Sequence, residues 1–120
     1  MELSENERLM LVGIKNEIFQ ITAALLTERL SNAEKFTKMN KILSLLSIME
    51  SYAKPDRDLS VFSTYVTQIM VWMESGMDER LRINVFCTAV NSIKFDFTKK
   101  GLKISIPIKI EAILNKMQLG

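Results

Sequence analysis

The sequence contains no histidine, so the commonest general base of enzymes and the commonest zinc ligand are both missing. Its single cysteine, Cys87, cannot form a disulfide within the chain. Cys87 lies in an apolar segment with no base or metal partner beside it, which predicts a small buried side chain rather than a nucleophile. The four glycines are isolated from one another, and no glycine-rich phosphate loop is present.

The acidic residues do not indicate a catalytic or metal site either. Close acidic pairs occur at 5/7, 56/58 and 78/79. Each pair lies where a helix is predicted to start, and helix capping accounts for acidic residues there without a metal. We therefore expect a protein that is not an enzyme and that has no catalytic residues, no cofactor and no metal.

Glycine and proline are also scarce: four and two among 120 residues. So few turn-forming residues favour helices over a many-stranded sandwich. Apolar residues make up 48% and charged residues 25%, the balance of an ordinary globular domain. The longest uncharged run spans 59–73, shorter than the ~20 apolar residues of a membrane helix, and the first residues are acidic rather than basic. We expect a soluble, cytoplasmic protein that does not bind membranes.

Apolar residues recur three and four apart over long segments, which predicts amphipathic helices. Predicted helices span about 5–30, 32–53, 58–75, 79–91 and 108–119. The first has a broad apolar face, because Val12, Phe19 and Leu26 widen a seam formed by Leu11, Ile14, Ile18, Ile21 and Leu25. Ser4 with Glu7, and Ser31 with Glu34, fit the spacing of capping boxes at the first two helix starts. We interpret Gly13, inside the first helix, as a point where a neighbouring helix approaches closely.

The apolar period changes to two from Ser92 onward. Phe95 and Phe97 alternate with polar residues before Gly101, and Leu102 and Ile104 do so after it. This pattern predicts a β-hairpin over 92–106, with Gly101 free to adopt a positive φ at the turn. The predicted fold is mainly α, an antiparallel four-helix bundle followed by a β-hairpin and a C-terminal helix. No linker divides it, so we expect one domain over 1–120.

Charge is unevenly distributed along the chain. Residues 1–93 hold ten Lys and Arg against twelve Asp and Glu, a net charge of −2, whereas residues 94–120 hold six Lys against two acidic residues, a net charge of +4. Lys94 and Lys103 are expected on the outer face of the hairpin, with Lys99 and Lys100 at its tip. Lysines on hairpin edges also prevent edge-to-edge aggregation, so they do not by themselves indicate a ligand.

A lysine-tipped hairpin that follows a helix resembles the wing of a winged-helix DNA-binding domain. The resemblance implies that helix 79–91 is a recognition helix, whose polar residues would face DNA: Arg80, Arg82, Asn84, Thr88 and Asn91. The candidate nucleic-acid contacts are therefore Lys94, Lys99, Lys100, Lys103, Arg80 and Arg82. The chain departs from the winged-helix pattern because no strand is predicted before helix 58–75.

Eight methionines form the other unusual feature. Methionine fills cores, and it also suits adaptable binding surfaces. The first three predicted helices are apolar over more of their circumference than a small monomer needs, and a homodimer would cover the excess. The candidate protein-interaction residues are Met70, Trp72, Met73 and Met77.

The sequence thus favours a small non-enzymatic interaction or regulatory protein that binds another protein, most simply a second copy of itself, through its helices. The alternative is a nucleic-acid-binding regulator that uses the hairpin as a wing. Small size and the Lys-, Asn- and Ile-rich composition suit a bacterial or phage accessory protein.

Overall fold

The computed structural model describes residues 2–53, 79–98 and 101–105. The predicted helices at 58–75 and 108–119 lie outside these residues. Within them, the chain forms three α-helices and one two-stranded antiparallel sheet: α1 (Glu5–Thr27), α2 (Asn32–Ser51), α3 (Glu79–Asn91), β1 (Lys94–Thr98) and β2 (Gly101–Ser105).

Both predicted capping boxes are confirmed. At the start of α1, the Glu7 backbone N–H donates to Ser4 Oγ at 3.1 Å, and the Ser4 N–H donates to Glu7 Oε1 at 3.0 Å. Ser31 and Glu34 make the same reciprocal pair at the start of α2. The bond from the Ser4 backbone N–H lowers the pKa of the Glu7 carboxyl, and the Ser4 side chain lowers it further. These bonds satisfy N–H groups that a helix start otherwise leaves without partners.

The two helices end earlier than the apolar pattern predicts. α1 stops at Thr27 because Glu28 is extended (φ −94°, ψ 150°), and Ser31 must also be extended to cap α2. α2 stops at Ser51, and Ala53 then forms a parallel bridge with Leu102 of β2. Apolar side chains continue past both helix ends, so periodicity alone overestimates the helical lengths.

The predicted hairpin is confirmed. Phe95 pairs with Ile104 and Phe97 with Leu102, and these four side chains face the protein interior. Thr98 pairs with Gly101, which leaves two residues between the strands. Gly101 has a φ of 137°, a conformation that glycine adopts without steric cost.

α1 lies at the centre of the core. Its side chains Leu11, Ile18 and Leu25 are buried, and both α2 and α3 contact this helix. α2 and α3 supply most of the remaining buried side chains: Met39, Ile42, Leu45, Leu46, Met49, Ile83, Phe86, Cys87, Ala89 and Val90. Thr22 is fully buried within the α1 seam, and its hydroxyl donates to the Ile18 carbonyl at 2.8 Å, so the polar group is satisfied.

The hairpin is attached to α1 at two points. The rings of Phe19 and Phe95 make an edge-to-face contact, with centroids 6.0 Å apart and planes at 77°. Nearer the start of α1, Arg8 Nη2 donates to the Thr98 carbonyl at 2.8 Å. A two-stranded hairpin is marginal alone in water, and these contacts together with its buried apolar face hold it on α1.

The prediction of an antiparallel four-helix bundle is wrong. The described residues contain three helices, and the hairpin shares their core through Phe95, Leu102 and Ile104. The bundle was predicted because four segments have a helical apolar period, and a period does not show which elements share one core. A sheet face of alternating apolar residues buries a helix equally well. The single-domain assignment stays a prediction.

The interpretation of Gly13 is also wrong for the residues described. A Cβ built on Gly13 would meet no described atom within 4 Å, and Gly13 lies on the exposed side of α1. No packed helix within the described chain therefore requires a glycine at this position.

Replacing Gly13 by alanine should stabilise the protein by about 1 kcal/mol, because alanine restricts the unfolded chain and favours the helix. Thermal unfolding followed by circular dichroism should show a melting temperature a few degrees higher. Ser47→Gly, which introduces a glycine at an exposed position inside α2, should destabilise the protein by about half as much. A lower melting temperature for Gly13→Ala would mean that another group does lie against Gly13.

Candidate interaction surfaces

Large apolar side chains are exposed on α1 and α2. Leu9 is 63% exposed, Leu26 47%, Met10 43% and Val12 36%, and Ile48 of α2 is 43% exposed. Single exposed apolar residues are common on any protein, but four of these five lie on one helix. The surface of α1 is therefore the most apolar candidate site among the described residues.

Several exposed residues of α1 fall in line along the helix. Leu9, Val12, Asn16, Ala23 and Leu26 are all exposed and are separated by intervals of three, four, seven and three residues. We name these five residues the α1 stripe. At 100° per residue the stripe runs from Leu9, opposite the buried seam of Leu11, Ile18 and Leu25, to Leu26, which lies about 80° from the centre of that seam. α1 thus has one apolar face packed in the core and, beside it, a line of mostly apolar exposed residues.

The sequence contains a signal for this stripe. Val12, Phe19 and Leu26 repeat seven residues apart, but the pattern alone cannot say whether a neighbouring element covers them. The structure shows Phe19 half-buried against Phe95, while Val12 and Leu26 are exposed. The predicted interaction residues Met70, Trp72, Met73 and Met77 lie outside the described residues, so their role stays a prediction.

α1 is also the one described helix that is long and apolar enough to span a membrane, judged by length and composition alone. Core helices of soluble proteins and signal sequences meet the same criterion. Its length therefore does not assign a location to the protein, and the cytoplasmic location stays a prediction.

The outer face of the hairpin carries the lysines predicted there. Lys94 and Lys103 are exposed on the side opposite Phe95 and Phe97, as expected from the alternation. Asp96 lies directly across from Lys103 on the same face, so part of the positive charge is neutralised. Lys99 and Lys100 lie outside the described residues.

The predicted recognition helix, α3, has one buried face and one exposed face. Ile83, Phe86, Cys87, Ala89 and Val90 are buried against the core. Asn84, Thr88 and Asn91 are exposed at intervals of four and three, which places them on one face. The Thr88 hydroxyl donates to the Asn84 carbonyl at 2.7 Å, so it is already used within the helix. Arg80 and Arg82 lie in α3 with side chains outside the described set.

The predicted burial of Cys87 is confirmed. Its side chain is fully buried between α3 and α1, and Sγ lies 3.8 Å from the Thr22 carbonyl, which can accept a weak S–H hydrogen bond. Burial raises the pKa of the Cys87 thiol to about 11. Because the thiolate is the reactive form, this cysteine is protonated and unreactive at neutral pH. No group of three or more Cys, Asp or Glu side chains able to hold a metal occurs in the described part of the chain.

Comparison with known proteins does not assign this chain to a family. No family model matches this chain, and no curated protein or solved structure is significantly similar to it.

Native protein should react with a thiol reagent such as Ellman's reagent far more slowly than a free thiol, because Cys87 is both buried and protonated. The rate should rise steeply when denaturant unfolds the chain. It should also rise with pH toward the raised pKa, since the thiolate fraction increases as pH approaches about 11. Rapid labelling of the native protein at pH 7 would contradict the buried position.

Proposed function

We propose that this protein is a small non-enzymatic interaction or regulatory protein that associates with a second copy of itself through its helices. The observation that supports this proposal is the exposure of Leu9, Val12 and Leu26 on α1. Association would remove their apolar surface from water, a gain of about 25 cal/mol for each Å² buried.

Self-association is the simplest use of such a surface. Two-fold dimers are the commonest protein oligomers, and in them one patch contacts the same patch of the partner. The α1 stripe extends over about 26 Å, if 1.5 Å per residue is taken from Leu9 to Leu26, and half-buried Phe19 interrupts it between Asn16 and Ala23. A line of this length on a rigid helix provides an ordered surface without rearrangement of the core.

A second proposal, from a different class, is nucleic-acid binding by the hairpin. It is supported by the exposure of Lys94 and Lys103 on one face of a hairpin that α1 holds in place. Contacts of lysine with phosphate are sequence-independent and weaken as salt rises. Asp96 on the same face reduces this support, so we rank nucleic-acid binding second.

The first proposal predicts that Leu9→Glu weakens self-association. Burying a leucine side chain contributes about 1.5–3 kcal/mol, and a two-fold dimer contains the residue twice, so the dissociation constant should rise at least about a hundredfold. Sedimentation velocity over micromolar to millimolar concentrations measures this change. Asn40→Glu, which adds the same charge at an exposed position of α2, is the matched control and should leave the constant unchanged. A wild-type protein that stays monomeric over the whole range would contradict the proposal.

The second proposal predicts binding of random DNA or RNA oligonucleotides that weakens steeply between low and physiological salt, measured by fluorescence anisotropy. Lys94→Gln with Lys103→Gln should lower the affinity and reduce the salt slope by about two. Lys38→Gln with Lys41→Gln on α2 removes the same charge from another surface and serves as control. Absence of binding even at low salt would contradict nucleic-acid binding. The lysines would then serve to prevent edge-to-edge aggregation of the hairpin.

A further inference from the structure

Arg8 belongs to the part of the chain that carries a net negative charge, but the fold places it at the basic end. Its Nη2 atom donates to the Thr98 carbonyl at 2.8 Å, although the two residues are 90 positions apart in the sequence. Thr98 is the last residue of β1, and Lys99 and Lys100 follow it directly in the sequence. A cation of α1 therefore lies at the end of the hairpin where the sequence predicts the lysines of the tip.

The hydrogen bond to Thr98 uses one of the five N–H donors of the Arg8 guanidinium. A carbonyl is a neutral acceptor, so the positive charge is not compensated by this bond. Glu5 precedes Arg8 by three residues in α1, the spacing of a helical ion pair, yet Arg8 is not ion-paired with any carboxylate of the described residues. The Glu7 carboxylate accepts instead from the Ser4 backbone N–H. The other donors of Arg8 can therefore bind an anion from solution.

Arg8 also changes the balance of charge at the hairpin. The described hairpin residues carry Lys94 and Lys103 against Asp96, a net charge of +1, and Arg8 raises it to +2. The partial neutralisation by Asp96 is thus matched by a cation that comes from α1 rather than from the hairpin itself.

The guanidinium of Arg8 is held in position before any ligand binds. The bond to Thr98 fixes it at one end of β1, and the contact between Phe19 and Phe95 attaches the hairpin to α1 further along the helix. A group that is ordered in advance loses less conformational entropy on binding. The planar guanidinium can contact two oxygens of one phosphate, which the ammonium group of lysine does not do.

A nucleic acid fits this arrangement better than a single anion. Its backbone carries a phosphate at every nucleotide, so one molecule can contact Arg8 and the lysines of the hairpin together. A free phosphate or a lone carboxylate reaches one of these groups at a time.

We propose that Arg8 contacts a backbone phosphate of a nucleic acid that lies along the hairpin. This rests on the second proposed function, nucleic-acid binding, and adds a contact residue from α1.

The salt dependence of binding tests the role of Arg8. Binding of labelled random DNA and RNA oligonucleotides is measured by fluorescence anisotropy at several salt concentrations. Arg8→Gln should reduce the salt slope by about one, because one phosphate contact is lost. Arg8→Lys should keep the slope but lower the affinity, because lysine binds phosphate as a point charge. Lys41→Gln removes one charge from an exposed position of α2, and this matched control should leave the slope unchanged.

Arg8 also holds the hairpin, so a structural effect must be measured separately. Phe19→Leu removes the ring contact with Phe95, the other attachment of the hairpin, without a change in charge. It should lower the melting temperature followed by circular dichroism and leave the salt slope unchanged. If Arg8→Gln likewise lowers the melting temperature with an unchanged slope, Arg8 only positions the hairpin and the phosphate contact is overturned. Equal loss of slope in Arg8→Lys and Arg8→Gln would overturn it too, because the charge would then not be the cause.

Two further outcomes separate the role of Arg8 from nucleic-acid binding itself. If Lys94→Gln with Lys103→Gln reduces the slope and Arg8→Gln does not, the hairpin binds nucleic acid without Arg8, and the phosphate contact alone is overturned. If wild-type protein does not bind at low salt, nucleic-acid binding and the role of Arg8 are both overturned.

Discussion

Burial of the α1 seam is the constraint on which the rest of the structure depends. Leu11, Ile18 and Leu25 must leave water, and no single neighbour covers them, so α2 and α3 both pack on this helix. The hairpin joins the same core through Phe95, Leu102 and Ile104. Helices gain most of their stability from packing an apolar face rather than from intrinsic propensity. The packing of α2, α3 and the hairpin on α1 therefore stabilises all of these elements together.

The same helix gives the protein its candidate site. The core covers one apolar face of α1, whereas the α1 stripe beside it stays exposed. Its core face fixes the helix as a rigid element, and the α1 stripe then presents side chains in a defined order without further folding. Rigid presentation would lower the entropy lost on the proposed association, because few groups would have to be ordered on binding.

Local features of the fold could be predicted from the sequence, because residues close together in the chain determine them. The capping boxes of Ser4 and Ser31 depend on a contact three residues away, and the hairpin depends on alternation around Gly101. The burial of Cys87 followed from the apolar residues around it. The ends of α1 and α2 were harder to predict, because Glu28 is extended before the Ser31 cap and Ala53 pairs with the distant Leu102, and neither depends on the helical period.

By itself the sequence determined that the chain is mainly helical, that a hairpin follows the third described helix, and that the lysines of the hairpin alternate to its outer face. Only the tertiary structure decided which of the described elements pack on α1 and which apolar positions they cover. Val12 and Leu11 are adjacent and both apolar, yet Leu11 is buried and Val12 is 36% exposed. Hydrophobicity is a property of the residue, whereas burial depends on which distant elements pack there, and periodicity along one helix contains no information about those neighbours.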